Sequence, residues 1–130
     1  MSAETNAQAV REALEAFTKG DIETVKAKIA SDAVWHAPGS NKYSGDFAGA
    51  EAIFGRFAGQ MQDGVGISLD IHDIVANDDH AVAMVTSTTS GPGGSTVQRS
   101  VQVYHMRDGQ ATEFWGYNED QAAVDAVLGS

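Results

Sequence analysis

The sequence predicts an α+β domain, with helices first and a meander of antiparallel strands after them. Three observations carry this. Apolar residues recur at helical spacing in the first half, from Val10 to Met61. From Ile67 onward they alternate with polar residues at the two-residue period of strands. The strand runs are divided by turn residues, Asn77-Asp78-Asp79, Gly91-Pro92-Gly93-Gly94 and Asp108-Gly109. Helices grouped before strands favour helices packed on one face of an antiparallel sheet.

The elements follow in order. Val10, Leu14 and Phe17, with Ala13 between, form one apolar face of a first helix, and Gly20 suits the position past its end. Asp21 caps a second, short helix with Ile22, Val25 and Ile29 on one side. Ala33 to Ala37 is a strand that ends in a Pro38-Gly39 turn. Gly49 to Met61 is a third helix, with Ile53, Phe54, Phe57 and Met61 spaced to cover one broad face. Ile67, Leu69 and Ile71 alternate with Ser68, Asp70 and His72 in the next strand. Ala81 to Ser90, Thr96 to Arg107 and Gln110 to Tyr117 are three more, the last two joined by a tight Asp108-Gly109 hairpin. Asn118 caps a final helix from Glu119 to Leu128, which ends at Gly129. A sheet of this length bends strongly. About three N-terminal helices on its concave face enclose a cone, which is a natural small-molecule cavity.

Composition narrows the class. A chain of 130 residues suits one domain, residues 1–130, with a sizeable core. Eighteen acidic residues against eight basic give a net charge of -10, which repels phosphate backbones and anionic membranes. Neither a nucleic-acid nor a membrane partner is expected. The absence of cysteine excludes a disulfide frame, a thiol nucleophile and a cysteine-based zinc site. Met1-Ser2-Ala3-Glu4 lacks the basic and apolar regions of a signal peptide, and no run approaches the roughly 18 apolar residues of a membrane span. A cytoplasmic location is the expectation.

Chemistry centres on Val34-Trp35-His36-Ala37-Pro38-Gly39-Ser40. It places a histidine at a strand end beside a loop, where small-molecule sites tend to lie. An imidazole exchanges its proton near neutral pH. His72 belongs with Ser68 and Asp70 on an outer face, and His80 lies in a turn. His-x-His, His-x-x-x-His and Gly-x-Ser-x-Gly are all absent, so neither a metal site nor a nucleophile elbow is expected. No cofactor is expected either. Phe17, Trp35, Phe54, Phe57, Met61, Met84, Trp115 and Tyr117 are candidate cavity wall, with plain core packing as the alternative.

The order of elements, Gly20-Asp21, Val34-x-His36-x-Pro38-Gly39-Ser40, Ser44-Gly45, Gly49-x-Glu51-x-Ile53 and Glu113-Phe114-Trp115-Gly116-Tyr117 together resemble the nuclear transport factor two-like superfamily. Within it the chain is similar to SnoaL-like polyketide cyclases and steroid delta-isomerases. The resemblance puts His36 at the isomerases' carboxylate position. It puts Ala13 and Val103 at their two oxyanion-donor positions, where neither residue can donate a proton. The steroid-isomerase mechanism, which depends on those two donors, is therefore not implied. The cyclase branch implies an acid or base in the cavity, for which His36, His105 and Asp120 are candidates. His105 shares parity with Val101 and Val103, which places all three inward. A count shifted by one across Asp108-Gly109 would instead turn Tyr104 and Met106 inward. Asp120 can equally cap the last helix.

Two readings of different class follow. One is an enzyme that moves a proton on a small, largely apolar or aromatic molecule (an isomerase, cyclase or hydratase) with His36 as general acid/base. The other is a module that binds such a molecule unchanged, or a dimeric scaffold of the same fold. The resemblance also implies a homodimer through the convex sheet face, with Ser68, Asp70, Thr86, Thr88, Gln98, Ser100 and Gln102 on it.

Overall fold

The computed structural model describes residues 2–129. Helix α1 spans Ala3–Lys19 and α2 spans Ile22–Ala27. Strands β1 (Ile29–Ala37) and β2 (Gly45–Ala48) follow, then α3 (Ala50–Gln62). Strands β3 (Gly66–Ala76), β4 (His80–Gly91), β5 (Gly94–Arg107) and β6 (Gln110–Asn118) form the meander, and α4 (Gln121–Leu128) closes the chain. The helix boundaries have local causes. The Ser2 hydroxyl accepts from the Thr5 N–H and Asp21 accepts from the Thr24 N–H, which satisfies otherwise free donors at the starts of α1 and α2. Gly20 ends α1 with a φ of 79°, a left-handed conformation that glycine adopts without penalty.

The fold is α+β, as the periodicities require, and the sheet is open and mixed. Its order is β2-β1-β6-β5-β4-β3. Four neighbouring pairs are antiparallel, while β1 and β6 run parallel. The meander returns its last strand beside the first strand in the same direction, so the purely antiparallel expectation is corrected at that one pair. Strand β2 escapes sequence reading because four residues, three of them exposed, carry too little alternation. Ile29, expected in the second helix, begins β1 instead. Lys28 ends that helix, and β-branched Ile29 suits the strand that follows.

The core forms where the helices meet the inner sheet face. Ala9, Val10 and Leu14 of α1 and Ile53 of α3 join Ala33, Ala81, Ala83, Val85, Tyr104, Met106, Ala111 and Phe114 from the strands. Helix α4 sets Val124 and Leu128 against Tyr43 and Val65. Its end also touches the β4–β5 hairpin tip, where the Gly93 N–H donates to the Val127 carbonyl at 3.0 Å. A Cβ at Gly93 would lie 2.0 Å from the Ala126 carbonyl oxygen, so this approach requires glycine.

Strand register decides which residues face the cavity. Residues paired directly across a sheet share a face. His80 pairs with His105, Val82 with Val103, Met84 with Val101, and onward Val101 with Tyr117 and Val103 with Trp115. This set is the outer face. The inner set on β5 is Gln98, Ser100, Gln102, Tyr104 and Met106. The inward placement of Val101, Val103, His105 and Met84 is thus corrected, and the count shifted by one is the right one. Gln98, Ser100 and Gln102 likewise leave the expected outer set. The cause is an inverted pattern, since β5 carries valines outward and polar side chains inward. Among the described residues, no helix is long and apolar enough to cross a membrane.

Candidate functional site

A cavity of about 180 Å³ lies between the inner sheet face and the helices. Its wall is largely aromatic. Trp35 projects inward because β1 turns its odd-numbered residues, Ala33, Trp35 and Ala37, toward the helices. The Trp35 ring stacks on Phe114 at 5.6 Å and lies 5.0 Å from Phe57, which in turn meets Phe17 at 5.1 Å. On α3, Ile53, Arg56, Phe57 and Gln60 stand at helical spacing on one face, which aims Arg56 and Gln60 at the same space as Phe57.

The polar groups in this wall are few and ordered. The Arg56 guanidinium lies 4.1 Å from the Trp35 ring centroid, within the range of a cation–π contact. Its Nε–H donates to the Tyr43 carbonyl at 3.0 Å and one Nη–H to Gln60 Oε1 at 2.8 Å. Burial pulls its pKa down to about 10, which leaves it charged at neutral pH. The Gln60 amide nitrogen is buried and has no partner among the described residues. The Tyr104 hydroxyl donates to Gln102 Oε1, and burial pushes its pKa up, so it stays protonated. Lys28 also borders the cavity but is held by Glu12 at 2.8 Å. No aspartate, glutamate or histidine is among the described lining residues.

The candidate residues separate accordingly. Phe17, Trp35 and Phe57 line the cavity. Val101, Trp115 and Tyr117 border it, yet register puts their side chains on the outer face. Gly116 between Trp115 and Tyr117 has no side chain, so the strand's main chain forms the floor there. Phe54 lies outside the lining, packed on Phe57 at 6.1 Å with Lys26 over its ring. Met61 is 70% exposed because it falls at the solvent side of the last turn of α3. Met84 and Val103 face outward with their partners Val101 and Trp115. Asp120 caps α4 by accepting from the Ala123 N–H at 3.1 Å.

His36 faces away from the cavity. It neighbours Trp35 on β1, so it takes the opposite face, and its ring stacks on Trp115 at 4.9 Å. Nδ1 meets Asp46 Oδ1 at 2.8 Å and Nε2 meets Glu113 Oε2 at 2.6 Å. Both ring nitrogens thus face carboxylates, an arrangement complete only when both carry protons. Glu113 first, and Asp46 second, raise the His36 pKa above its ordinary value. The two carboxylates hold the ring in place and favour its protonated form. His105 extends the group, 4.9 Å edge-on from Trp115, with Nδ1 3.7 Å from Glu113 and His80 on its other side. Neither ring shares a face with Trp35, so the structure places His36 and His105, the expected acid/base candidates, outside the lining of this cavity.

Residues 10–114 match the family model of the SnoaL-like domain. The chain belongs to that family. The chain shares its fold with an ntf2-like protein from Burkholderia pseudomallei, at 22% identity and a TM-score of 0.85, over 97% of this chain and 98% of that one. It is similar to Bal32a from a soil-derived mobile gene cassette, at 26% identity and a TM-score of 0.89, over 97% of this chain and 98% of that one. It is also similar to TerC, solved with polyporic acid, at 23% identity and a TM-score of 0.84, over 95% and 98% of the two chains. A further relative in fold is an LEH-like epoxide hydrolase from M. tuberculosis, at 21% identity and a TM-score of 0.71, over 97% and 91%. A comparison with curated protein sequences finds no match. Sequence reading of this SnoaL-like domain missed Arg56 and Gln60, set Gln102 on the outer face and offered Tyr104 only as the alternative inward residue. The first two had a signal, since both sit at helical spacing from Ile53 on the apolar face of α3. Gln102 and Tyr104 depended on the parity of β5.

Proposed function

We propose that this SnoaL-like domain binds a small, flat, largely apolar molecule in its cavity without using His36 on it. The observation that carries this is the wall itself, a run of facing aromatic rings with no carboxylate or imidazole among them. Proton abstraction near neutral pH needs a group that can take the proton within hydrogen-bond reach. Here the available groups are a charged guanidinium and a protonated phenol. Both bind and orient better than they abstract. The volume is close to that of an apolar cavity of about 150 Å³ known to hold benzene, so one ring or a compact fused pair fits. The fold relatives support small-molecule binding by analogy, since one was solved with polyporic acid and another is described as an LEH-like epoxide hydrolase. The fold alone fixes no reaction.

The same reading includes a homodimer through the outer sheet face. Val97, Val101 and Tyr117 are 65%, 36% and 57% exposed there, and Val75 is 49% exposed on β3. A row of exposed apolar side chains on one face favours a symmetric contact.

Binding is testable through Trp35. In a Trp115→Phe background the emission reports the cavity alone, because Trp35 is then the sole tryptophan. Neutral mono- and bicyclic ketones should quench it. Ala13→Phe, which fills the cavity from α1, should abolish that response. Quenching that survives Ala13→Phe would place the ligand elsewhere and refute the proposal.

A further inference from the structure

The cavity's charge runs against the rest of the chain. The protein carries 18 acidic residues, yet none of them lines the cavity. Of the two cations on its wall, Lys28 is paired with Glu12, while Arg56 has no carboxylate partner among the described residues. Arg56 is half-buried, and a partly desolvated charge without a counter-ion is costly. The Trp35 ring gives Arg56 a favourable contact but does not neutralise it.

Hydrogen bonding supplies a second, independent sign. A guanidinium has five N–H groups, and two of them are used, by the Tyr43 carbonyl and by Gln60 Oε1. Arg56 can only donate, so it fixes which end of the Gln60 amide faces it. The oxygen turns toward Arg56 and the NH₂ is left over. That NH₂ is one of two unpartnered buried side-chain groups among the described residues, the other being the acceptor Asn6 Oδ1, and it sits on a residue only 3% exposed. Buried donors without partners are rare and call for an explanation. Arg56 and Gln60 stand one helical turn apart on α3, and both residues line the cavity.

We infer that the cavity selects a ring compound bearing a carboxylate, held by Arg56 and Gln60 while the ring lies among Trp35, Phe57 and Phe17. A carboxylate is planar, presents two acceptor oxygens and matches the guanidinium fork. It would supply both the missing counter-charge and the missing acceptor. The ring would occupy the aromatic wall that continues from Arg56.

The inference rests on the cavity's being the binding site, and the test separates the two ideas. The probes are 2-naphthoate and its neutral isostere 2-naphthamide, titrated by calorimetry near pH 7. Wild type should bind the naphthoate about tenfold to a hundredfold more tightly than the amide, the range of a charge-assisted hydrogen-bonded pair. Arg56→Met should remove that preference and leave amide binding in place. Gln60→Glu supplies Arg56 with a built-in carboxylate of nearly the same shape. It should likewise abolish naphthoate preference, and it keeps the test decisive if Arg56→Met misfolds. Equal affinity of wild type for the two probes overturns this inference but leaves cavity binding intact. Full naphthoate preference in Gln60→Glu also overturns it. Failure of both probes to bind, or binding that persists in Ala13→Phe, overturns the cavity reading and this inference with it.

Discussion

His36→Gln separates a structural histidine from a catalytic one. The ring bridges Glu113 and Asp46 across β6, β1 and β2, with its side chain 27% exposed. Hydrogen bonds between charged groups contribute about 1.5–3 kcal/mol when well buried, and exposed pairs about 0.2–1 kcal/mol. Asp46 is 74% exposed and Glu113 36%, so solvent screening moves the pair toward the lower figure. The expected loss is about 1 kcal/mol. Unfolding entropy near 2.1 cal/mol/K per residue gives about 0.27 kcal/mol/K for 130 residues, so the melting point should fall by about 4 °C. The pH dependence has a definite sign. The folded pKa of His36 is raised. Its contribution is therefore fully present below the unfolded value of about 6.5, and it fades as pH climbs through the raised folded value. Urea titrations of wild type and His36→Gln at about pH 6, 7.5 and 9 should show a gap that is widest at the acid end and narrows toward the alkaline end. Cavity binding should be unchanged throughout. A gap that grows with pH would refute the ion-bridge reasoning. A tenfold loss of ligand affinity would refute the placement of His36 on the outer face.

Further outcomes follow from packing. Ile53→Ala, at a fully buried position that anchors α3, should cost about 2–5 kcal/mol, read as a lower urea midpoint with an unchanged slope. Gly93→Ala forces a Cβ against the Ala126 carbonyl and should cost about 1–3 kcal/mol, with faster amide exchange confined to the end of α4. In the proposed homodimer, Val101→Lys puts a charge in the middle of the outer face, and sedimentation at micromolar concentration should show dimer for wild type and monomer for the variant.

Most of the fold was legible because it depends on local signals. The helix faces around Val10, Leu14 and Phe17 and the caps at Gly20 and Asp21 rest on spacing and side-chain chemistry alone. The Asp108-Gly109 hairpin was equally clear, with both residues at positive φ as a two-residue turn requires. The parallel pairing of β1 with β6 was not legible, because it joins segments about eighty residues apart and leaves no local mark. Within the site, Phe17, Trp35 and Phe57 were found by aromatic character. His36 and His105 were misplaced for a different reason. Each sits one residue from an inward-facing aromatic, Trp35 and Tyr104, and a one-residue error in a strand moves a side chain to the other face.

The inversion on β5 has a physical origin in two demands made on one sheet. An ordinary half-buried strand turns its apolar residues to the core and its polar residues to water. Here the inner face must offer hydrogen-bonding groups to a cavity, which accounts for Gln102 and Ser100 pointing inward. The outer face shows Val97, Val101 and Tyr117, a row that ordinary solvent exposure does not explain but a second copy of the sheet would. Each departure from the simple rule therefore falls where the sheet meets something other than its own core or water. Deviations of this kind tend to mark functional surfaces. The same logic applies on α3, where Arg56 and Gln60 interrupt an apolar stripe facing that cavity. The two elements whose patterns break the rule, β5 and α3, both line one space. In the proposed complex a ligand would have Gln102 and Tyr104 of β5 and Arg56 of α3 in the same cavity wall, and a few such polar groups fix orientation in a largely apolar pocket.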